Sequence, residues 1–288
     1  MPNPNLKVFF DTDTATFSYV VHRADSPQCA VIDPVLDYDA PSGRTSTGGA
    51  QAIVEYIQTH GLQLQWILET HAHADHLSAA AWLKSQLGGQ IAIGAPIKQV
   101  QETFKKIYNL SDRPTIDEAF DVLLAPDQQF QIGNMNVRVL HVPGHTPADM
   151  AYHVLDLGVF VGDTLFMPDA GTARCDFPGG NAKQLYRSIK QLLSLPDQTA
   201  LFYCHDYPPA SRTEVQHTCT VLEQRQHNIH VRDGISESEF VAMREKRDAT
   251  LALPRLILPA LQVNIRAGQL PKAEENGRQY LKIPLNYF

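Results

Sequence analysis

Thr70-His71-Ala72-His73-Ala74-Asp75-His76 places three imidazoles and one carboxylate within six residues, separated only by alanines. Nitrogen and oxygen donors at this density suit a divalent metal such as zinc, iron or manganese. The small spacers let the backbone turn sharply. His71 and His73 can then face one side of an extended loop while Asp75 and His76 reach a neighbouring position. Outward from this stretch, three further residues could complete a shell: His145 in Val142-Pro143-Gly144-His145-Thr146, Asp163 in Val161-Gly162-Asp163-Thr164, and His205 in Cys204-His205-Asp206-Tyr207. Each follows an apolar run that reads as a strand, which gives rigid support, with a loop at its end that lets the side chain converge on the others. Glycine precedes both His145 and Asp163, where backbone can approach a ligand closely. The histidines outside this set, His22, His60, His141, His153, His217, His227 and His230, have no such context and receive no role.

The histidine cluster sits between a short apolar strand, Trp66 to Glu69, and a helix read over Leu77 to Leu87 that ends at Gly88 and Gly89. Upstream, Lys7 to Phe10, Phe17 to His22 and Cys29 to Asp33 read as a β-meander, followed by a loop at Pro41 to Gly49 and a helix at Ala50 to His60. Downstream come a strand at Gln90 to Gly94, a helix at Ile97 to Leu110, and strands at Val137 to Val142, Met150 to Val154 and Val159 to Val161. A helix at Ala182 to Leu195 and a strand at Ala200 to Cys204 lead to His205. Thr213 to His230 then reads as helical, Ser236 with Glu239 forms a capping box before another helix, and Pro254 to Phe288 wraps back without clear periodicity. This order predicts an α/β fold of two packed sheets with outer helices. Residues 1–210 form the catalytic domain, and residues 211–288 a helical and irregular extension packed on it.

A 43% hydrophobic and 19% charged composition over 288 residues is that of a globular chain able to bury a large core. The net charge of −7 has the wrong sign for phosphate-backbone binding, so no nucleic-acid partner is expected. The first ten residues lack a basic and apolar secretory leader, and no apolar run approaches the roughly 18 residues of a membrane span, which predicts a cytoplasmic protein without a membrane partner. Cys29, Cys175, Cys204 and Cys219 lack CxxC spacing, and Cys29 and Cys204 read as buried thiols.

With these motifs in hand, the chain resembles the metallo-β-lactamase superfamily, whose pattern is the His-X-His-X-Asp-His loop followed by Gly-His, Gly-Asp and a final His at strand ends. The resemblance spans roughly Lys7 to Tyr207 and implies the αββα sandwich of that superfamily. Within it, Asp169-Ala170-Gly171-Thr172-Ala173-Arg174-Cys175-Asp176-Phe177 and the His205-Asp206-Tyr207 ending are similar to the persulfide dioxygenases, although Cys175 stands where relatives often carry threonine. That resemblance implies one Fe(II) per chain held by His71, His145 and Asp163, with His73, Asp75, His76, His205 and Tyr207 around it or holding a second metal. Two histidines and one carboxylate leave open positions for substrate and dioxygen. The implied reaction oxidises glutathione persulfide with O2 to sulfite and glutathione, a step of hydrogen sulfide detoxification. Arg174, Lys183 and Arg266 are the cations expected to meet the anionic peptide. The competing expectation is a glyoxalase II-like thioester hydrolase with two Zn, and a non-enzymatic sensor using Cys175 is a third. Nothing in the sequence sets the oligomeric state; a homodimer is compatible with it.

Overall fold

The computed structural model describes residues 3–111 and 116–287. Its first sheet contains β1 (Pro4–Asp11), β2 (Thr16–Arg23), β3 (Ser26–Ile32), β6 (Gln63–Leu68), β8 (Gln90–Gly94) and β9 (Val122–Leu124), in that order. The first three strands are antiparallel, whereas β3, β6, β8 and β9 run parallel. The second sheet is β10 (Gln129–Ile132), β11 (Met135–His141), β12 (Met150–Val154), β13 (Gly158–Phe160), β14 (Ala200–Phe202) and β15 (Thr218–Thr220). A small third sheet joins β5 (Arg44–Ser46), β4 (Val35–Asp39) and β7 (Leu77–Ser78).

Successive side chains on a strand point to opposite faces, and here both faces are covered. Along β2, Tyr19 and Val21 enter the apolar layer between the sheets with Val137, Val139, Tyr152 and Phe160, while Val20 enters the layer beneath the helices. That outer layer is formed by α1 (Gly48–Thr59), α2 (Ala80–Leu87), α3 (Ile97–Ile107) and, from the C-terminal extension, α7 (Ile257–Asn264). The second sheet is covered by α4 (Ala182–Leu192), α5 (Val221–His227) and α6 (Glu237–Asp248). Helix, sheet, sheet, helix is the predicted layering, and residues beyond 211 supply part of both outer layers. No helix among the described residues is long and apolar enough to cross a membrane.

Three local expectations change. The helix read over Thr213 to His230 is a strand, β15, followed by the shorter α5. Thr220 and Glu223 form a capping box that fixes where α5 starts, and Cys219 before it pairs with Leu201 at the sheet edge. The stretch after Pro254, read as aperiodic, contains α7, of which Ile257, Ala260, Leu261, Gln262, Val263 and Asn264 are all buried. A helix enclosed on nearly every side shows no amphipathic period to read. The loop at Pro41 to Gly49 contains β5, whose three residues are all exposed and carry no apolar alternation.

Candidate metal centre

Loop 70–76 leaves the end of β6 and is pinned at its start by Asp33, at the end of β3. The Asp33 carboxylate accepts the Thr70 N–H at 2.8 Å and the Thr70 hydroxyl at 3.0 Å. His145 and Asp163 arrive from loops after β11 and β13, and His205 from the loop after β14. The glycines before two of them are required. Gly144 has φ +145°, and a Cβ there would lie 2.2 Å from the Leu185 nitrogen; Gly162 has φ +54°, with Thr70 Oγ1 2.8 Å from where a Cβ would be.

The seven predicted ligands converge. His71, His145 and Asp163 present donor atoms all within 4.8 Å of one another, and so do His73, Asp75, His76 and His205. Asp163 stands between the groups: Oδ2 lies 3.9 Å from His71 Nε2 and 3.7 Å from His145 Nε2, and Oδ1 lies 3.5 Å from His205 Nε2.

Outer hydrogen bonds decide which nitrogen faces inward. His145 Nδ1 donates to the Arg174 carbonyl at 2.7 Å, which turns Nε2 toward Asp163. His71 Nδ1 meets Thr70 Oγ1 at 3.1 Å, and His205 Nδ1 meets Thr16 Oγ1 at 3.2 Å and the Ala15 carbonyl at 3.3 Å. The inward atoms His71 Nε2, His76 Nε2 and Asp163 Oδ1 are buried without a hydrogen-bond partner. His205 Nε2 and Asp75 Oδ2 face each other at 2.9 Å as an ion pair; burial opposes the His205 charge, but Asp75 outweighs it and raises the pKa well above the usual value, so a metal bound between them would take the place of that proton. Buried polar atoms left unpaired are costly, and this inward-facing set of lone pairs and carboxylate oxygens is satisfied by a cation. The residues therefore fit a metal. Burial, then the neighbouring charges of His73 and His145, holds His71 well below the ordinary imidazole range, and burial followed by His73 lowers His76. Neutral imidazole is the ligating form.

His73 differs. Its Nε2 is 3.1 Å from Asp33 Oδ1 and 3.3 Å from Glu69 Oε2. Burial works against its charge, but Asp33 and Cys204 outweigh burial and raise its pKa well above the usual value. Its ring is held as the partner of two buried carboxylates, outside the His71, His145, Asp163 group. Asp33 and Glu69 were not singled out in the sequence; their signal was a carboxylate ending an apolar strand, the context that marked Asp163.

A cavity of ≈ 560 Å³ opens on Asp75, His145 and Asp163. Tyr207 lines it and stacks on His205 with ring centroids 5.7 Å apart. Arg174 reaches the cavity wall, but its fork is engaged: Nε and Nη2 donate to Asp176 at 2.5 Å each, and Nη1 donates to the Ala252 carbonyl at 2.6 Å. Together with Phe177, whose ring lies 6.2 Å from that of His145 and 5.3 Å from that of Phe104, the Arg174 to Phe177 segment forms a brace behind His145.

The other two expected cations lie elsewhere. Lys183 is exposed in the first turn of α4 and lines surface pockets with Glu245, away from the metal-facing cavity. Arg266 is 2% exposed, follows α7, and donates to the Gln262 carbonyl, so it packs the interior and does not line the cavity. In their place the cavity receives Arg244 and Arg247 from α6. Arg244 is paired with Asp248 at 2.6 Å, and Arg247 has no ion-pair partner among the described residues. Sequence reading had no reason to choose them, because they lie about 40 residues beyond His205 on a helix with many charges. Burial pushes the Cys175 thiol far above its normal range, which argues against a reactive thiolate there.

The sequence profile of the Metallo-beta-lactamase superfamily matches residues 11–205, and the chain belongs to that superfamily. It is 50% identical over 288 residues to a probable metallo-hydrolase of Burkholderia pseudomallei, covering 96% of this chain and 98% of that one. It is 49% identical to Glyoxylase B2 of Dictyostelium discoideum, over 98% and 97% of the two chains. Persulfide dioxygenase ETHE1, mitochondrial, of Bos taurus is 28% identical over 91% of this chain and 88% of its own length. The crystal structure of ETHE1 from Myxococcus xanthus superposes with a TM-score of 0.74 at 26% identity, covering 92% of this chain and all of that one.

Proposed function

We propose that this chain is a mononuclear iron persulfide dioxygenase acting on glutathione persulfide. The observation that carries the reading is the separation of His71, His145 and Asp163 as a three-donor group while His73 is turned onto Asp33 and Glu69. Likeness to ETHE1 over nine-tenths of the chain supports it. His71, His145 and Asp163 would hold Fe(II), and an iron held by two imidazoles and one carboxylate would supply the redox chemistry that joins a sulfur anion to dioxygen. Persulfide, O2 and water balance to thiol, sulfite and two protons. The chain's own groups do the rest. The Arg174 carbonyl holds the His145 ring so that Nε2 faces Asp163, and Phe166 and Tyr207 wall the cavity beside Asp163. Arg247, the unpaired cation of the cavity, meets a substrate carboxylate.

A second reading, a dinuclear zinc thioester hydrolase, is favoured by the converging donor atoms of Asp75, His76 and His205 and by the names of the 49% and 50% identical relatives. Metal analysis of protein purified without added metal, with oxygen uptake on glutathione persulfide, separates the two. About one iron per chain with oxygen uptake is expected. Two zinc per chain, thioester hydrolysis and no oxygen uptake would overturn the dioxygenase assignment.

A further inference from the structure

The loop carrying the ligands has little regular pairing of its own, and a residue far along the chain holds its second half. Asn264, the last residue of α7, is 4% exposed. Its Nδ2 donates to the carbonyls of His73 and His76, each at 2.8 Å, and its Oδ1 accepts the Ser78 N–H at 2.8 Å. One buried amide therefore ties three positions across the loop that contains Asp75 and His76. The surroundings enforce this contact. Ala72 and Ala74, the spacers between ligands, belong to the same apolar cluster as Ala260, Leu261, Val263 and Ile265. Gly268, at φ +80°, passes so close that a Cβ would lie 2.7 Å from the Ser78 carbonyl.

We infer that Asn264 is a positioning residue of the metal centre. It fixes the backbone at His73 and His76 so that Asp75 and His76 turn their donor atoms toward His205 and Asp163. The C-terminal extension, beyond residues 11–205 matched by the superfamily profile, is thereby a working part of the metal site. The role is the same under either reading of the reaction, so its test uses metal binding and not turnover.

The experiment is Co(II) titration of full-length apoprotein, followed through visible absorption bands whose position and intensity report donor geometry. Asn264→Leu keeps roughly the volume and removes all three hydrogen bonds; Asn264→Ser is the milder variant. Ile132→Ala, a fully buried residue of β10 in the layer between the sheets, is the control that weakens packing away from the metal loop and leaves the three bonds in place. Groups that orient ligands from behind typically change metal affinity by about 10 to 100-fold, so a loss of that size with altered bands is expected for Asn264→Leu and a smaller one for Asn264→Ser. Ile132→Ala should melt lower yet bind Co(II) with wild-type affinity and bands. Should Asn264→Leu apoprotein not fold, Asn264→Ser against Ile132→Ala decides. Wild-type affinity and bands in the folded Asn264 variants, or an equal loss of affinity in Ile132→Ala, would overturn the inference.

Discussion

Replacing Arg174 by alanine separates a brace from a substrate contact. The guanidinium makes two bonds to Asp176 and one to the Ala252 carbonyl, while the carbonyl of the same residue accepts from His145 Nδ1. Charge-assisted bonds contribute about 1.5 to 3 kcal/mol when buried. Asp176 is 36% exposed at its side chain, so screening reduces the whole brace to roughly 1 to 3 kcal/mol. At about 2 to 4 °C per kcal/mol for a chain of this size class, the variant should melt about 2 to 12 °C lower. Freed from its brace, the segment holds His145 less firmly, and metal affinity should fall about 10 to 100-fold, with kcat falling at subsaturating metal. Arg174→Lys should recover part of this, since it keeps the charge without the planar fork. The assays are metal titration by chelator competition, thermal unfolding, and oxygen uptake against glutathione persulfide concentration. A KM raised by roughly 10 to 150-fold, the equivalent of 1.5 to 3 kcal/mol, with metal affinity unchanged would refute the brace and return Arg174 to substrate binding.

Arg247→Ala should leave metal content and Tm in place and raise KM by about tenfold or more, because a remote charge contact binds ground and transition states alike; unchanged steady-state kinetics would remove it from the binding site. Asp163→Ala removes the carboxylate shared by both donor groups and should lose metal and activity together, which elemental analysis checks. His76→Ala should keep iron near one per chain with activity about 10 to 100-fold lower, whereas a halved metal content would speak for the dinuclear hydrolase. His230 accepts the Thr172 N–H at Nδ1, and burial together with Arg244 and Arg247 pushes its pKa down to about 4. The unfolded chain takes up this proton below about pH 6.5 and the folded chain does not, so this contribution to stability is lost as pH falls from 6.5 toward 4. In acid unfolding, His230→Gln should flatten that interval, and an unchanged slope would assign the acid limb to other groups.

Local chemistry explains what could be read in advance. His71, His73, Asp75 and His76 are neighbours in the chain, and His145, Asp163 and His205 each stand at the end of an apolar strand, so their joint role follows from residue type and period alone. The layered fold was legible for the same reason: two-sided burial leaves continuous apolar runs such as Cys29 to Ile32 in β3. Tertiary structure decided everything that depends on which distant segments meet. Residue type and spacing alone do not distinguish His73 from His71; the family resemblance separated them, and the fold supplies the physical difference, the approach of Asp33 and Glu69 to one ring and not the other. Charge alone suggested Lys183 and Arg266, but folding sends the first to the surface and buries the second, and brings Arg247 to the cavity instead. Asn264 has no motif around it. Its place at the metal loop comes from the docking of α7 against Ser78, a contact between residues 186 positions apart that no local pattern encodes.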